Sequence, residues 1–486
     1  MAIHFLSLLL VCGDGISTGQ EPAPDGGDLL KTTRGALHEQ SELPVPNLGT
    51  RKAGVDWPGF LGPGGNSKSP ERNILTNWPA EGPKKLWERQ LGTGYAMPST
   101  SRGRLLHFDR QADRAQLVCL HSETGTLLWT FSYDTDYEDL YGYNNGPRCC
   151  PLIDGDRVYI YGAEGVLHCV RLTDGQLIWK VDTREQFGVV QNFFGVGATP
   201  VIAGDLLIVQ VGGSGSESQG LAPGQLDQVS GNGSGVVAFD KRTGKVKYTS
   251  SDELASYASP TLTTLDGRPW CFLFARGGLV GFDPRNGKID FHYPWRSSKL
   301  ESVNASNPVV VGNEVFISET YGPGSSLLSF RPQGYTITWR DTQKDRKKAM
   351  QTHWNTPIHH EGYLYGSSGR HSSTAELRCI EWRTGKVHWS EKGLSRCSLL
   401  YVDGYFLCLG EYGTLRLLRA NPKKFDQIAS TVLSKQDSGP ADRPLKYPAW
   451  AAPILSHGLL YVRGRDRLFC LELIAQQEVS EDESVE

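Results

Sequence analysis

The chain has 486 residues and a formal net charge of −3. With no Lys/Arg tract, that balance excludes a polybasic nucleic-acid binder. Its 56 glycines and 12 tryptophans suit a turn-rich all-β chain, and no apolar run approaches the ~18–20 residues needed to span a bilayer.

In chain order, the first feature is the apolar run Ile3 to Val11, which has the length of a signal-peptide core but no Lys/Arg before it. Residues 1–20 are therefore read as an export signal that is either atypical or continued upstream. Val11 is a poor residue to precede a lipidated cysteine, so Cys12 is not expected to carry an anchor. Residues 21–55 hold Pro, Gly and mixed charge without periodicity and read as a flexible tether.

From Asp56 the chain becomes repetitive. A hydrophobic strand runs into a turn ending in Gly, and an aromatic follows four or five residues later. The clearest copies run Leu117 to Gly125 with Trp129, Leu167 to Gly175 with Trp179, Val236 to Gly244 with Tyr248, and Leu377 to Gly385 with Trp389. Self-similarity of this kind, built from strands and turns alone, predicts a propeller or array. One strand position takes a small or apolar residue in every copy: Cys119, Cys169, Ala238, Gly281, Ser329, Cys379, Leu417 and Cys470. These positions define eight units. Free cysteine behaves as a small hydrophobe, so four of the ten cysteines are explained as packing. No Cys-x-x-Cys, haem-attachment or zinc-like spacing occurs.

The last unit lacks its fourth strand, whereas Lys84-Lys85-Leu86-Trp87 looks like a fourth strand without a unit. Joining the two closes a ring and removes its open edges. The expected fold is all-β, an eight-bladed propeller over residues 56–474, followed by an acidic tail over 475–486. The recurring aromatics Trp87, Trp129, Trp179, Tyr248, Phe291, Trp339 and Trp389 are assigned to packing between blades.

Loop lengths single out one face. Turns between first and second strands, and between third and fourth, are short. Long connections (132–147, 182–196, 211–235, 342–351 and 430–447) all belong to the opposite face, where a site is expected. Residues just before each innermost strand should ring the axis there: Arg148, Cys149, Cys150, Tyr257, Asn304, His353, Trp354, Asn355, Arg396 and Trp450. Arginines, a histidine, amides and tryptophans at one mouth suit an anionic, planar or saccharide ligand. The acidic run Asp134 to Asp139 reads as a solvated loop, and His359-His360 as structural.

The pattern small–apolar–Asp–x–x–Thr–Gly–x–x–x–Trp resembles the tryptophan-docking repeat of pyrroloquinoline quinone (PQQ) enzymes and their non-enzymatic relatives. Asp56-Trp-Pro-Gly-Phe-Leu-Gly-Pro63 resembles the leading segment of secreted PQQ-like propellers. That family includes quinoprotein alcohol dehydrogenases and a propeller lipoprotein of outer-membrane assembly, so the resemblance implies a fold without choosing a function. It offers a role for Cys149-Cys150: an adjacent pair that closes a strained disulfide ring against the cofactor in the dehydrogenases. Two ordinary thiols facing opposite sides are the other reading. Glu217, after Gly212-Gly-Ser-Gly-Ser216, resembles the calcium-binding glutamate, and Glu301 is the nearest candidate base. The Trp-Asp pair of the family's base is missing, and Gly92 to Pro98 holds no match for its cofactor-binding Glu. Those departures favour binding over catalysis, with no cofactor assured although PQQ and calcium remain possible.

The sequence thus favours an exported, periplasmic or secreted, monomeric scaffold that binds a protein partner or small ligand on its long-loop face. A PQQ- and calcium-dependent oxidoreductase and a carbohydrate-binding propeller are the alternatives.

Overall fold

The computed structural model describes residues 44–433, apart from 219 and 343, and residues 445–476. The expected signal segment, the tether up to residue 43 and the tail from 477 lie outside the described residues. None of the described helices is long and apolar enough to cross a membrane.

Eight antiparallel sheets, each built on four strands, succeed one another along the chain as the blades of a propeller. Blade 1 spans Ser99 to Asp134 and blade 2 Leu152 to Asp182, and the order continues to blade 7, Cys397 to Val432. Blade 8 takes three strands from Ile454 to Glu472 and its outermost strand, Lys85–Gln90, from the other end of the chain. Lys85–Gln90 pairs antiparallel with Arg467–Glu472, with Trp87 opposite Cys470. This is the closure the sequence predicts.

The repeat is a docking device between blades. Cys119 lies opposite Trp129, Cys169 opposite Trp179, Ala238 opposite Tyr248 and Cys379 opposite Trp389, and a register shift follows each pair. Each aromatic then leans on the next blade. Trp87 Nε1 donates to the Ser122 carbonyl, Trp129 to Leu172, Trp179 to Lys241, Trp339 to Trp382 and Trp389 to Asn421. The ring covers the turn glycine: a Cβ on Gly125 would come within 2.8 Å of Trp87, and one on Gly175 within 2.5 Å of Trp129. Both glycines also have φ near +70°, so two independent constraints demand glycine there. Ser329 is a correction. It pairs with Thr336, and the slot opposite Trp339 is filled by Leu327.

Residues 44–55, expected in the tether, are fixed against the short-turn end of the ring. Leu48 N–H donates to Arg102 O, Thr50 and Arg51 bind Glu123, and Arg51 pairs with Glu472 at 2.5 Å. The chain then turns into the axis. Trp57, fully buried, bridges Thr100 of blade 1, and Pro58 O accepts from Ile153 of blade 2. Lys68–Ser69 adds as a fifth, parallel strand to the inner edge of blade 7. Glu71 and Asp403 then tie the segment to the turns of blades 8 and 7 before it leaves for the perimeter. Residues 44–76 thus form a strap over the short-turn end, and residues 57–69 plug the channel.

Candidate functional site

The plug makes the open end of the channel a blind bowl of about 680 Å³ on the long-loop face, with Phe60, Leu61 and Ser67 of the plug among its lining. Its wall is a readout of one repeat position. Tyr95, Arg148, Gly197, Ala305, Trp354, Arg396 and Trp450 all line the bowl. Each lies six residues before the end of its blade's first strand, as with Tyr95 and Ser101, Arg148 and Asp154, Arg396 and Val402, or Trp450 and Ser456. Blade 4 has a longer first hairpin, and Tyr257 takes the equivalent place.

Two arginines are clamped. The Arg148 guanidinium binds the buried Asp139 carboxylate and the carbonyls of Gly146 and Asn144. It also lies against the rings of Tyr95, Tyr137 and Phe194, at 5.8–6.0 Å. Asp139 belongs to the run expected to be a solvated acidic loop. The structure corrects that for this residue, because a buried arginine needs a buried counter-charge. Arg396 is held by Glu411, with Nε and Nη2 at 3.1 and 2.6 Å from the carboxylate. Glu411 also accepts from Trp450 Nε1 at 3.1 Å. Burial pushes Glu411 up, but Arg396 and Trp450 outweigh it and hold the carboxyl below its usual range. The Arg396 guanidinium stands 4.5 Å from the Trp354 ring and 5.4 Å from Trp450.

His353 completes this wall. A guanidinium only donates, so Nδ1 accepts from Arg396 Nη1 at 3.4 Å and the ring proton sits on Nε2. Nε2 therefore donates to Tyr321 Oη at 3.1 Å, which leaves the phenol proton to donate into the bowl. Burial, with Arg396 and Arg370 nearby, pushes His353 down to about 3, so the ring is neutral at any ordinary pH.

The profile of the PQQ_2 family, described as outer membrane protein assembly factor BamB, matches residues 114–391. This chain belongs to that family. Among solved structures, BamB from Moraxella catarrhalis superposes with a TM-score of 0.54 at 13% identity, covering 81% of this chain and 99% of that one. The quinohemoprotein alcohol dehydrogenase of Comamonas testosteroni gives 0.58 at 12% identity, over 87% and 82%. The related enzyme ADHIIG of Pseudomonas putida HK5 gives 0.56 at 12%, over 87% and 81%. These likenesses are of fold. No curated protein matches the sequence.

Within the PQQ_2 family's framework, the residues singled out from sequence divide into two groups. Arg148, His353, Trp354, Asn355 and Arg396 line the bowl together. Cys149, Cys150 and Asn304 do not. Cys149 is fully buried between blades 2 and 3, and its Sγ donates to Ala198 O at 3.3 Å. Cys150 packs into a different cluster, beside Leu105 and Leu120 of blade 1. Both are free thiols, Cys150 Sγ accepting from Thr199 Oγ1 at 3.6 Å, and burial pushes Cys150 up to about 12. The Asn304 amide is enclosed, donating to the carbonyls of Ala275 and Trp295. Glu217 sits exposed in the turn Ser216–Ser218 and Glu301 in an exposed loop, both outside the lining. No group of three or more His, Cys, Asp or Glu among the described residues is arranged to hold a metal ion. Cys149, Cys150, Glu217 and Glu301, to which the resemblance gives a quinone–calcium role, are thus not brought together in the lining of the bowl.

Sequence reading missed Arg370 and Arg465, which come from loops without a repeat position, and the plug residues Phe60 and Leu61. Tyr95, by contrast, was accessible from the six-residue offset. His359 and His360, read as structural, pack on Trp382 and Tyr401 at 4.9 and 4.5 Å.

Proposed function

We propose that this protein is an exported binding propeller, in which the long-loop bowl takes a ligand and the loops around it present the complex to a partner. The observation that carries this reading is how the bowl's polar groups are engaged. Arg148 and Arg396 are locked by buried carboxylates, His353 is neutral with both nitrogens engaged, and no Asp or Glu among the described residues lines the wall. Such a surface is preorganised for recognition. His371, exposed in the lining, is its remaining imidazole, and no carboxylate of the described lining stands with it to make a base for a bound alcohol. Export is supported by the apolar run Ile3 to Val11.

The test is to incubate the protein with PQQ and calcium, desalt it, and assay retained quinone and dye-linked alcohol oxidation. The expected result is no stoichiometric retention and no turnover. Retention with turnover would replace this reading with that of a quinoprotein oxidoreductase.

A further inference from the structure

We propose that the bowl's ligand is an acidic oligosaccharide, its carboxylate or sulfate groups held by Arg370 and Arg465. This rests on the binding reading above and adds a ligand class to it.

The first observation is charge. Among the described residues, four arginines line the bowl, Arg148, Arg370, Arg396 and Arg465, and no carboxylate does. Asp139 and Glu411 neutralise two of them from behind. Arg370 and Arg465 form no ion pair among the described residues. Arg370 is presented with its guanidinium 4.5 Å from the Tyr321 ring, and Arg465 is exposed at the rim. A concave surface with two unmatched guanidiniums focuses positive potential into its interior, and their planar forks suit carboxylate or sulfate oxygens.

The second observation is the set of the rings. Trp354 and Trp450 are inclined by 40°, Tyr95 and Trp450 by 51°, and His353 and Trp354 by 59°. The stacked pairs at the rim, Tyr143 with Phe194 and Tyr412 with Tyr447, already cover each other's faces. A flat polycyclic ligand therefore finds no parallel slot. Puckered sugar rings instead pack apolar C–H faces on aromatic surfaces at varied angles, and their hydroxyls can use Tyr321. The third observation is size and access. A volume of about 680 Å³, open above and rimmed by Tyr143 at 61% and Tyr447 at 43% exposure, suits one end of an oligosaccharide with the rest running outward.

The experiment titrates the full chain, by calorimetry and tryptophan fluorescence, with four probes. These are trigalacturonate, a sulfated heparin disaccharide, neutral cellotriose and triglutamate. At least one acidic saccharide should bind at least tenfold more tightly than cellotriose and triglutamate, and should weaken as salt rises. The uronate and sulfate arms distinguish which anionic group is read. Arg370→Gln and Arg465→Gln should each weaken that binding about tenfold. Should either variant fail to fold, the other variant and the salt dependence of the unaltered protein carry the test. Equal binding of cellotriose would show that the guanidiniums are not used, and equal binding of triglutamate would make this a peptide site. Either result overturns the inference, as does binding by none of the four. All three leave the scaffold reading to be judged by the quinone assay.

Discussion

The two ends of the ring are made by the same eight repeats and have opposite characters. At the short-turn end the hairpins are nearly uniform, so one strap can lie across several of them using backbone N–H groups and a few carboxylates. Glu71, Glu123 and Asp403 each accept two or more of those bonds. At the long-loop end every connection differs, and no single segment could follow it. What results is a bowl whose wall comes from a regular position and whose chemistry comes from irregular loops. In a repeat protein, regularity builds the closed end and departures from it supply specificity.

The sharpest way to break this contrast is to remove the strap's anchor. Trp57→Ala empties a fully buried indole site and should cost about 3–5 kcal/mol in denaturant unfolding. It should also weaken ligand binding, because Phe60 and Leu61 beyond it floor the bowl. An unchanged midpoint would mean that the strap is decorative. Next in size, Glu411→Gln leaves the Arg396 wall uncharged from behind and should cost about 1.5–3 kcal/mol, with the strap unaffected. Differential hydrogen exchange at the two ends would show whether the loss stays on the bowl side.

A pH titration sharpens the comparison further. His457 Nδ1 faces the Ala53 carbonyl at 3.0 Å and Nε2 faces Asp56 Oδ1 at 3.1 Å. Both partners accept, so the ring that makes both bonds carries two protons. Its bond to Asp56 raises His457 above its ordinary value of 6.5. The stabilisation is therefore complete below about that pH and is lost as pH rises through the raised value. The thermal midpoint should decline between pH 6 and pH 9, and His457→Asn should flatten that slope. The smallest effect expected is none at all: a reductant should leave the unfolding midpoint unchanged, because Cys149 and Cys150 are free thiols in separate clusters. A drop in midpoint would instead reveal a bond between them.

The blades were legible because their determinants are local: a slot, a turn glycine and an aromatic within about a dozen residues. The one misplaced slot, Ser329, shows the limit. In blade 5 the third and fourth strands run to Arg331 and from Gly334, so the slot lies twelve residues before its aromatic instead of ten, and counting back ten from Trp339 lands two residues late. The strap was read as a tether up to residue 55 because nothing periodic marks it. Its contacts are to residues as distant as Glu472 and His457, and only the folded ring brings those together. The same holds for Asp139. Its burial depends on Arg148 nine residues on, which a reading of the acidic run alone does not reveal.

The seam in blade 8 has a consequence for how the chain is made. Glu88 and Arg467, paired across it, are 379 positions apart. During synthesis or passage across a membrane, the strand Lys85–Gln90 emerges early and waits unpaired until nearly the whole chain has followed. For that interval its outward β-edge is a template for other strands. Folding must end at the seam, and contacts this remote in sequence form slowly. A shortened chain ending before Arg467 should therefore accumulate seven assembled blades with an unclosed gap, a species prone to pair with its own kind and open to proteolysis where the intact ring is not.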